Sequence, residues 1–436
     1  MSLAPRLLSF NPELQRCLWL ELTPTRLILM PAMAAVIFGG LHLANADLAP
    51  KALTGLWLLL VLWGARLAAD AFAEEVAEKT WDIQRLSSTP PLSIALGKLF
   101  GGTAYAWYGA LFCLLVLAIE PGAINGGAVL GVLEAGLVAQ AAALFAALVL
   151  HRLGRGVRRG RVSLAQVAGI LAGWPGQGSA LLLFQHAPLH GSSLDWYGAS
   201  FALGDFTAAL QLGFGLWFVV GTVRLIRREQ GFRDGPLAWS LFTLYAVLVA
   251  AGFVFPAVDA MLVAAAAAAA LVSYLGLLAT PLTAVDVKRL ALAWQGRAWH
   301  ALWRHLPAWV PSAVLAVVLD LALLASAPAW VQTLGHWLVL GTPVRAGWLA
   351  LFLRDIALVC WLRLFFPRRG ALGLVILFAL LYAFIPWVGF ATGGWQRLLI
   401  PDVSTTPADL FGPWLEAVLA MGLLAVQVRG TLRARG

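Results

Sequence analysis

Residues 127–150 read GAVLGVLEAGLVAQAAALFAALVL, and residues 151–161, which follow at once, read HRLGRGVRRGR. The first stretch has a single charge, Glu134. Wound as an α-helix it is about 36 Å long, more than the ~30 Å of hydrocarbon in a bilayer. The second carries Arg152, Arg155, Arg158, Arg159 and Arg161. These belong in water and, because short cytoplasmic loops are the ones enriched in Arg and Lys, on the inner side of the membrane. An apolar helix ending in a basic inner loop decides the fold.

The same pattern recurs on both sides of this stretch. Apolar runs at 27–46, 52–70, 96–119, 127–150, 163–185, 206–226, 237–256, 258–279, 308–326, 345–366, 371–390 and 411–428 predict about 12 transmembrane helices, with 10–12 as the range. With a cytoplasmic N-terminus, the later inner loops hold Arg224, Arg227, Arg228 and Arg233, then Lys288, Arg289, Arg297 and Arg304, then Arg368 and Arg369, and finally Arg429, Arg433 and Arg435. The outer loops hold only Lys51, Arg345 and Arg397. The expected fold is therefore an all-α polytopic membrane protein with N- and C-termini cytoplasmic.

Composition points the same way. The 436 residues are 61% hydrophobic and 12% charged, against about 25% charge in a soluble domain, so a water-soluble or disordered chain is excluded. Cys17, Cys113 and Cys360 are too scattered for a disulfide framework or a metal site. The net charge of +9 is carried by arginine, with lysine only at positions 51, 79, 98 and 288. Spread over the inner loops, it fixes membrane orientation, and no nucleic-acid partner is expected. The preferred compartment is a bacterial inner (cytoplasmic) membrane.

Residues 1–26 lack the charged tip and short apolar core of a secretory signal. Leu14, Cys17, Leu18 and Leu22 recur at helical spacing, with Glu13, Arg16 and Glu21 elsewhere, which predicts an amphipathic helix over 10–26 in the inner headgroup layer. No loop contains the glycine-rich phosphate cradle: around Gly97-Lys98, Leu92 stands where its first glycine belongs. If ATP powers this chain, the hydrolysis comes from a separate subunit, which would hold the ATP and Mg, and no cofactor is expected here. No catalytic residue and no metal site is assigned. The outer loop with His186, His190, Asp195 and Asp205 is the one cluster that could serve a lipid- or glycan-modifying enzyme.

Charges inside the spans are few. Arg354 and Asp355 lie near the middle of span ten and Asp320 in the outer half of span nine. An unpaired charge there costs several kcal/mol, so either they pair between helices or they line a substrate path. Glu134 and Glu416 sit nearer to water. An ion-coupled secondary transporter would depend on Asp320 or Glu134.

The loop 70–98 is unlike the others. Asp70, Glu74 and Glu78 at i, i+4, i+8 extend span two with an acidic face, and Glu75–Lys79 is a favourable i,i+4 pair. Ser87-Ser88-Thr89-Pro90 supplies a helix stop, a hydroxyl cap and a fresh start. The prediction is helix, break, helix: a cytoplasmic knob held by spans two and three.

These residues resemble a known pattern. The acidic run with Lys79-Thr80, then Leu86, Thr89-Pro90 and Gly97-Lys98-Leu99, is similar to the loop between the second and third spans of ABC-2 type permeases, the membrane-spanning subunits of type 2 ATP-binding cassette exporters. The resemblance covers about 10–230. It implies an amphipathic elbow at 10–26, a coupling helix in 70–98 seated in a groove of an ABC ATP-binding subunit, and a re-entrant outer segment at 187–205. Carried over residue by residue, the coupling set is Glu74, Glu75, Glu78, Thr80, Asp82, Arg85, Leu86, Thr89, Pro90 and Lys98. Outside the stretch that the resemblance covers, the charges within the spans, Asp320, Arg354 and Asp355, are the candidates for a substrate path.

The chain continues for six spans beyond that family's usual six. Asp82-Ile83-Gln84-Arg85-Leu86-Ser87 recurs as Asp286-Val287-Lys288-Arg289-Leu290-Ala291, and Val223-Arg224 as Val428-Arg429, at offsets of 204–205. This suggests a 6+6 tandem, 1–230 and 231–436, with 281–306 as a degenerate second coupling segment. The alternative is that a second permease chain completes the unit.

Overall fold

The computed structural model describes residues 11–119, 126–153, 159–174, 193–232, 235–279, 282–326, 330–333, 338–366, 370–384, 387–388 and 410–433. The chain divides into two compact units, Met1–Leu194 with Ser200–Phe232, and Asp195–Ala199 with Arg233–Gly436.

The first unit begins with α1 (Pro12–Glu21) and α2 (Pro24–Leu43), followed by α3 (Leu48–Ala77), a short α4 (Thr80–Gln84), α5 (Pro91–Gly101) and α6 (Ala104–Ile119). Then come α7 (Gly126–Leu153), α8 (Arg159–Gly173) and α9 (Leu203–Glu229); the strands before α9, β1 (Ser193–Trp196) and β2 (Ala199–Ala202), have Asp195–Ala199 in the second unit. Helix α7 packs against α3, α8 and α9. Their shared core is dominated by small side chains: Ala65, Ala68 and Ala69 of α3, Ala135, Ala139 and Ala143 of α7, and Ala165 of α8. In lipid, where no hydrophobic force separates one apolar helix from another, such residues let backbones approach and gain dispersion contacts.

Helix α3 is not uniform. Its middle, Leu58–Trp63, is π-helical, which displaces carbonyls from the regular ladder. Without water each must be satisfied by protein. Buried Gln140 of α7 donates from Nε2 to the Leu60 carbonyl at 3.0 Å and accepts from Trp107 Nε1 at 2.9 Å, and Gln166 of α8 donates to the Leu62 carbonyl at 3.0 Å.

The second unit contains α10 (Leu237–Gly252), α11 (Val258–Ala279), α12 (Ala284–Gln295), α13 (Trp299–His305), α14 (Val310–Ser326), strands β3 (Trp330–Thr333) and β4 (Leu338–Gly341), α15 (Thr342–Phe365), α16 (Gly370–Ala379, with a π turn over Leu380–Phe384) and α17 (Phe411–Arg433). Helix α11 packs against α10 and α14, and α15 against α17. The core joins Ala269 and Leu277 to Ala313, Ala316, Phe352 and Val359.

The described residues are mainly helical, with two hairpins, β1–β2 and an antiparallel one in which β3 pairs with β4 from Trp330↔Gly341 to Thr333↔Leu338. The hairpin β1–β2 occupies much of the expected re-entrant segment 187–205; residues 187–192 lie outside the described residues. Tyr197 and Gly198 both have positive φ, +49° and +76°, as a two-residue hairpin turn demands.

Among the described residues, six helices are long and apolar enough to cross a membrane. The number is eight if α5 with α6, bent by 45°, and α13 with α14, bent by 93°, each count once. The gap from the expected twelve has identifiable sources. Helix α10 is short, α8 ends where the described residues stop, α16 changes to a π turn, and α15 carries Arg345, Arg354, Asp355 and Arg363.

Replacing Gln140 with Leu strands the Leu60 carbonyl and the Trp107 N–H in an apolar core and should destabilise the protein by about 1–3 kcal/mol. The more exposed Gln166→Leu should cost less. Thermal midpoints in detergent check this, and an equal loss in both variants would refute the assignment of Gln140 as the buried satisfier.

Candidate functional site

The segment between α3 and α6 is built around one buried cation. Lys98 is 0% exposed, and its ammonium lies 3.3 Å from the Glu13 carboxylate and in contact with Glu75. Arg16 reaches both acids, pairing with Glu13 at 2.8 Å and contacting Glu75. The expected Glu75–Lys79 pair therefore does not form: Glu75 turns inward to Lys98 and Arg16, while Lys79 takes a left-handed conformation (φ 61°) that ends the first helix. The Lys98 ammonium also lies 5.6 Å from the Trp81 ring, which packs edge-on against Phe72 at 5.0 Å.

Helix α1 can seat here because Gly97 and Gly101 offer no side chain. A Cβ on Gly97 would come within 2.8 Å of the Leu14 backbone nitrogen, and one on Gly101 within 2.5 Å of Cys17 Cβ. The Asn11 side chain caps α1 by accepting from Glu13 N and Leu14 N, and donates to the Ser93 carbonyl at 3.0 Å. The sequence expectation placed Glu13 on the polar side of this helix. Instead Glu13 and Cys17 face the protein, and Trp19 and Leu20 are exposed. Burial alone would raise the Glu13 carboxyl, but the Arg16 hydrogen bonds and the Lys98 charge outweigh it and hold it at about 2. Burial pushes the Cys17 thiol up to about 12, which leaves it unreactive.

Outside this clamp the knob presents a mixed surface. Glu74, Glu78, Thr80 and Asp82 are exposed, Asp82 pairs with Arg85 at 3.0 Å, and Ile83 and Leu86 are 74% and 84% exposed. Gln230, just after α9, donates to the Thr89 carbonyl at 3.0 Å. The predicted hydroxyl cap is replaced by a proline one: Pro90 is the capping residue of α5 and Pro91 its first helical residue, while the Ser87 hydroxyl serves the Gln84 carbonyl at 2.7 Å. Of the ten coupling residues, Glu75 and Lys98 are thus internal, and the rest are exposed or half-buried.

The second unit holds a cavity of about 590 Å³ between α11, α14, α15 and α16. Asp320 and Asp355 both line it. Asp355 is fully engaged: its Oδ1 accepts from Arg354 Nε and Nη2 at 3.0 Å, and its Oδ2 accepts from Tyr274 at 3.0 Å and from Tyr382. Arg354 lies behind, also paired with Glu416 of α17 and 5.2 Å from the Tyr382 ring. Asp320 is not part of this network, so the expected set splits: Arg354 and Asp355 pair, and Asp320 stands apart.

Sequence reasoning missed Tyr274, Tyr382, Arg345 and the role of Glu416. Five of the six tyrosines fall inside the apolar runs, so nothing in the pattern singled out these two. In α12 the counterpart of Asp82, Asp286, is consumed in a capping box with Thr283. His186 and His190 lie outside the described residues, Asp195 is in β1, and Asp205 is in the first turn of α9. Among the described residues no group of three His, Cys, Asp or Glu could hold a metal ion. Comparison with family models, with curated proteins and with solved structures finds no match.

Removing the buried cation by Lys98→Met leaves two buried acids sharing Arg16 alone, a cost of up to about 3–5 kcal/mol. The triple variant Lys98→Met, Glu13→Gln, Glu75→Gln should recover much of it, measured as thermal midpoints. Because the Glu13 pKa is depressed on folding, its contribution is present above the ordinary carboxylate value near 4.5 and is lost as pH falls towards 2. Crosslinking of α1 to α5 should therefore weaken on acidification from pH 5, and Glu13→Gln should flatten that dependence.

Proposed function

We propose that this chain is the membrane-spanning subunit of an ATP-driven exporter of the ABC-2 kind, residing in a bacterial inner membrane and energised by a separate cytoplasmic ABC ATP-binding subunit. In this reading there are about twelve spans, both termini are cytoplasmic, and residues 1–230 and 231–436 are the two halves of one translocation unit. Packing supports the tandem: in both units the second long helix packs against the third span (α3 with α6, α11 with α14), and the fourth against the last (α7 with α9, α15 with α17).

The observation that carries the proposal is the knob itself. A helix–turn–helix bearing exposed acids and the exposed apolar pair Ile83 and Leu86 stands on a base that cannot give locally, because Lys98 ties α1, α3 and α5 together. A partner pressing on Ile83 and Leu86 would move these helices as one body. Alternating access then needs only that ATP binding favours one arrangement over the other. A second reading, an ion-coupled transporter without an ATPase, is favoured by Asp320, a membrane-depth carboxylate outside any ion pair.

Purification from native membranes after crosslinking at the knob tests the first reading. Wild type should bring down a Walker-motif ATPase. Ile83→Asp with Leu86→Asp, both at exposed positions, should lose it at unchanged thermal stability. Recovery of no nucleotide-binding protein with wild type would overturn the exporter reading.

A further inference from the structure

We infer that the cavity of the second unit is a binding site for a lipophilic organic cation, an amine or onium with an apolar body. Its volume, about 590 Å³, is in the ordinary range for small-molecule sites, roughly 300–1,000 Å³. The walls supply an apolar and aromatic lining, with Trp348, Phe352 and Phe378 around the space and the small side chains of Ala266 and Ala270 leaving room for it. Aromatic side chains can stabilise a cation through their ring faces, a contribution that an aliphatic lining lacks.

The charges settle the sign of the ligand. Asp355 has all of its acceptor capacity taken by Arg354, Tyr274 and Tyr382, so it braces the wall and offers nothing to a guest. Arg345, the one cation on the described wall, is buried, donates to the Leu323 carbonyl at 3.4 Å and faces both Asp259 and Asp320. Arg345 and Arg354 are thus set against four acids, Asp259, Asp320, Asp355 and Glu416. Asp320, half-buried and on the cavity wall, makes no hydrogen bond or close ion pair among the described residues, and the only cation acting on it there is Arg345, which it shares with Asp259. A carboxylate at this depth gains from a counter-charge closer than the shared Arg345, and a guest cation supplies one within an aromatic-lined space. Binding is independent of what powers the chain; that the bound cation is the cargo rests on the exporter reading.

The test uses the full purified chain in detergent and two ions of nearly identical size and shape, tetraphenylphosphonium and tetraphenylborate. Saturable, one-to-one binding of labelled tetraphenylphosphonium is expected, uncompeted by tetraphenylborate and weakened at least tenfold in Asp320→Asn. Trp348→Ala should weaken it several-fold with the carboxylate intact. Equal saturable binding of both ions would overturn the assignment. So would undiminished binding in Asp320→Asn, or the absence of a saturable component in wild type, which would leave a proton as the only guest of Asp320. The comparison of the two ions needs no variant, so a misfolded mutant does not spare the proposal. An ATPase that fails to copurify while the phosphonium still binds removes the exporter reading and leaves the site.

Discussion

An ammonium withdrawn completely from water must be paired or give up its proton, and Lys98, paired with two carboxylates, imposes that condition on the first unit. Its two carboxylates come from distant parts of the sequence, Glu13 on α1 and Glu75 near the end of α3, and Arg16 binds the same two acids from the outer side. Three helices are therefore fixed by one charge. Gly97 and Gly101 are the steric counterpart, since any side chain at either would hold α1 off and leave the ammonium in a gap that neither water nor protein fills well.

The same rule operates on uncharged groups within the spans. The π turn of α3 exposes carbonyls that an α-helix would have consumed, and two glutamines from neighbouring helices reach them. In the second unit Asp355 collects donors from α11, α15 and α16, and through Arg354 it engages Glu416 of α17. These contacts specify more than they stabilise: an alanine-lined interface can slide, whereas a glutamine on one carbonyl or a carboxylate under two phenols permits one register.

The sequence made some of this plain and hid the rest for a physical reason. Long apolar helices follow from composition and length, because lipid leaves an exposed backbone no other option. The break before α5 was legible in Ser87–Pro91 and the helix before α2 in its periodicity, whereas the earlier break at Lys79 had no such signal. The direction in which α1 faces was not. Hydrophobic spacing assigns a charged residue to water, and it cannot register that Lys98, 85 positions away, makes a buried Glu13 the better solution. The local rule likewise joined Glu75 to Lys79 because they are four apart, while the stronger pairing was non-local. Asp320 and Asp355 stood out as charges in apolar spans, but which one would be engaged depended on Tyr274, Tyr382 and Glu416, whose helices no pattern orders.

The two units use charge in opposite ways, and the contrast bears on what each can do. In the first, every member of the Glu13–Arg16–Glu75–Lys98 group has its partner, so the group has one low-energy arrangement and transmits displacement without changing itself. In the second, Asp355 and Arg354 are engaged, while the other carboxylate on the cavity wall, Asp320, makes no close ion pair among the described residues and has only the Arg345 it shares with Asp259. A closed network resists a guest because any guest must displace a bond already made. An open one gains by admitting a cation, and more so the drier its walls. A transporter needs both kinds of element, a stiff one where force enters and an unsatisfied one where cargo rests. On the reading proposed here, the knob over Lys98 is the first and the cavity at Asp320 is the second.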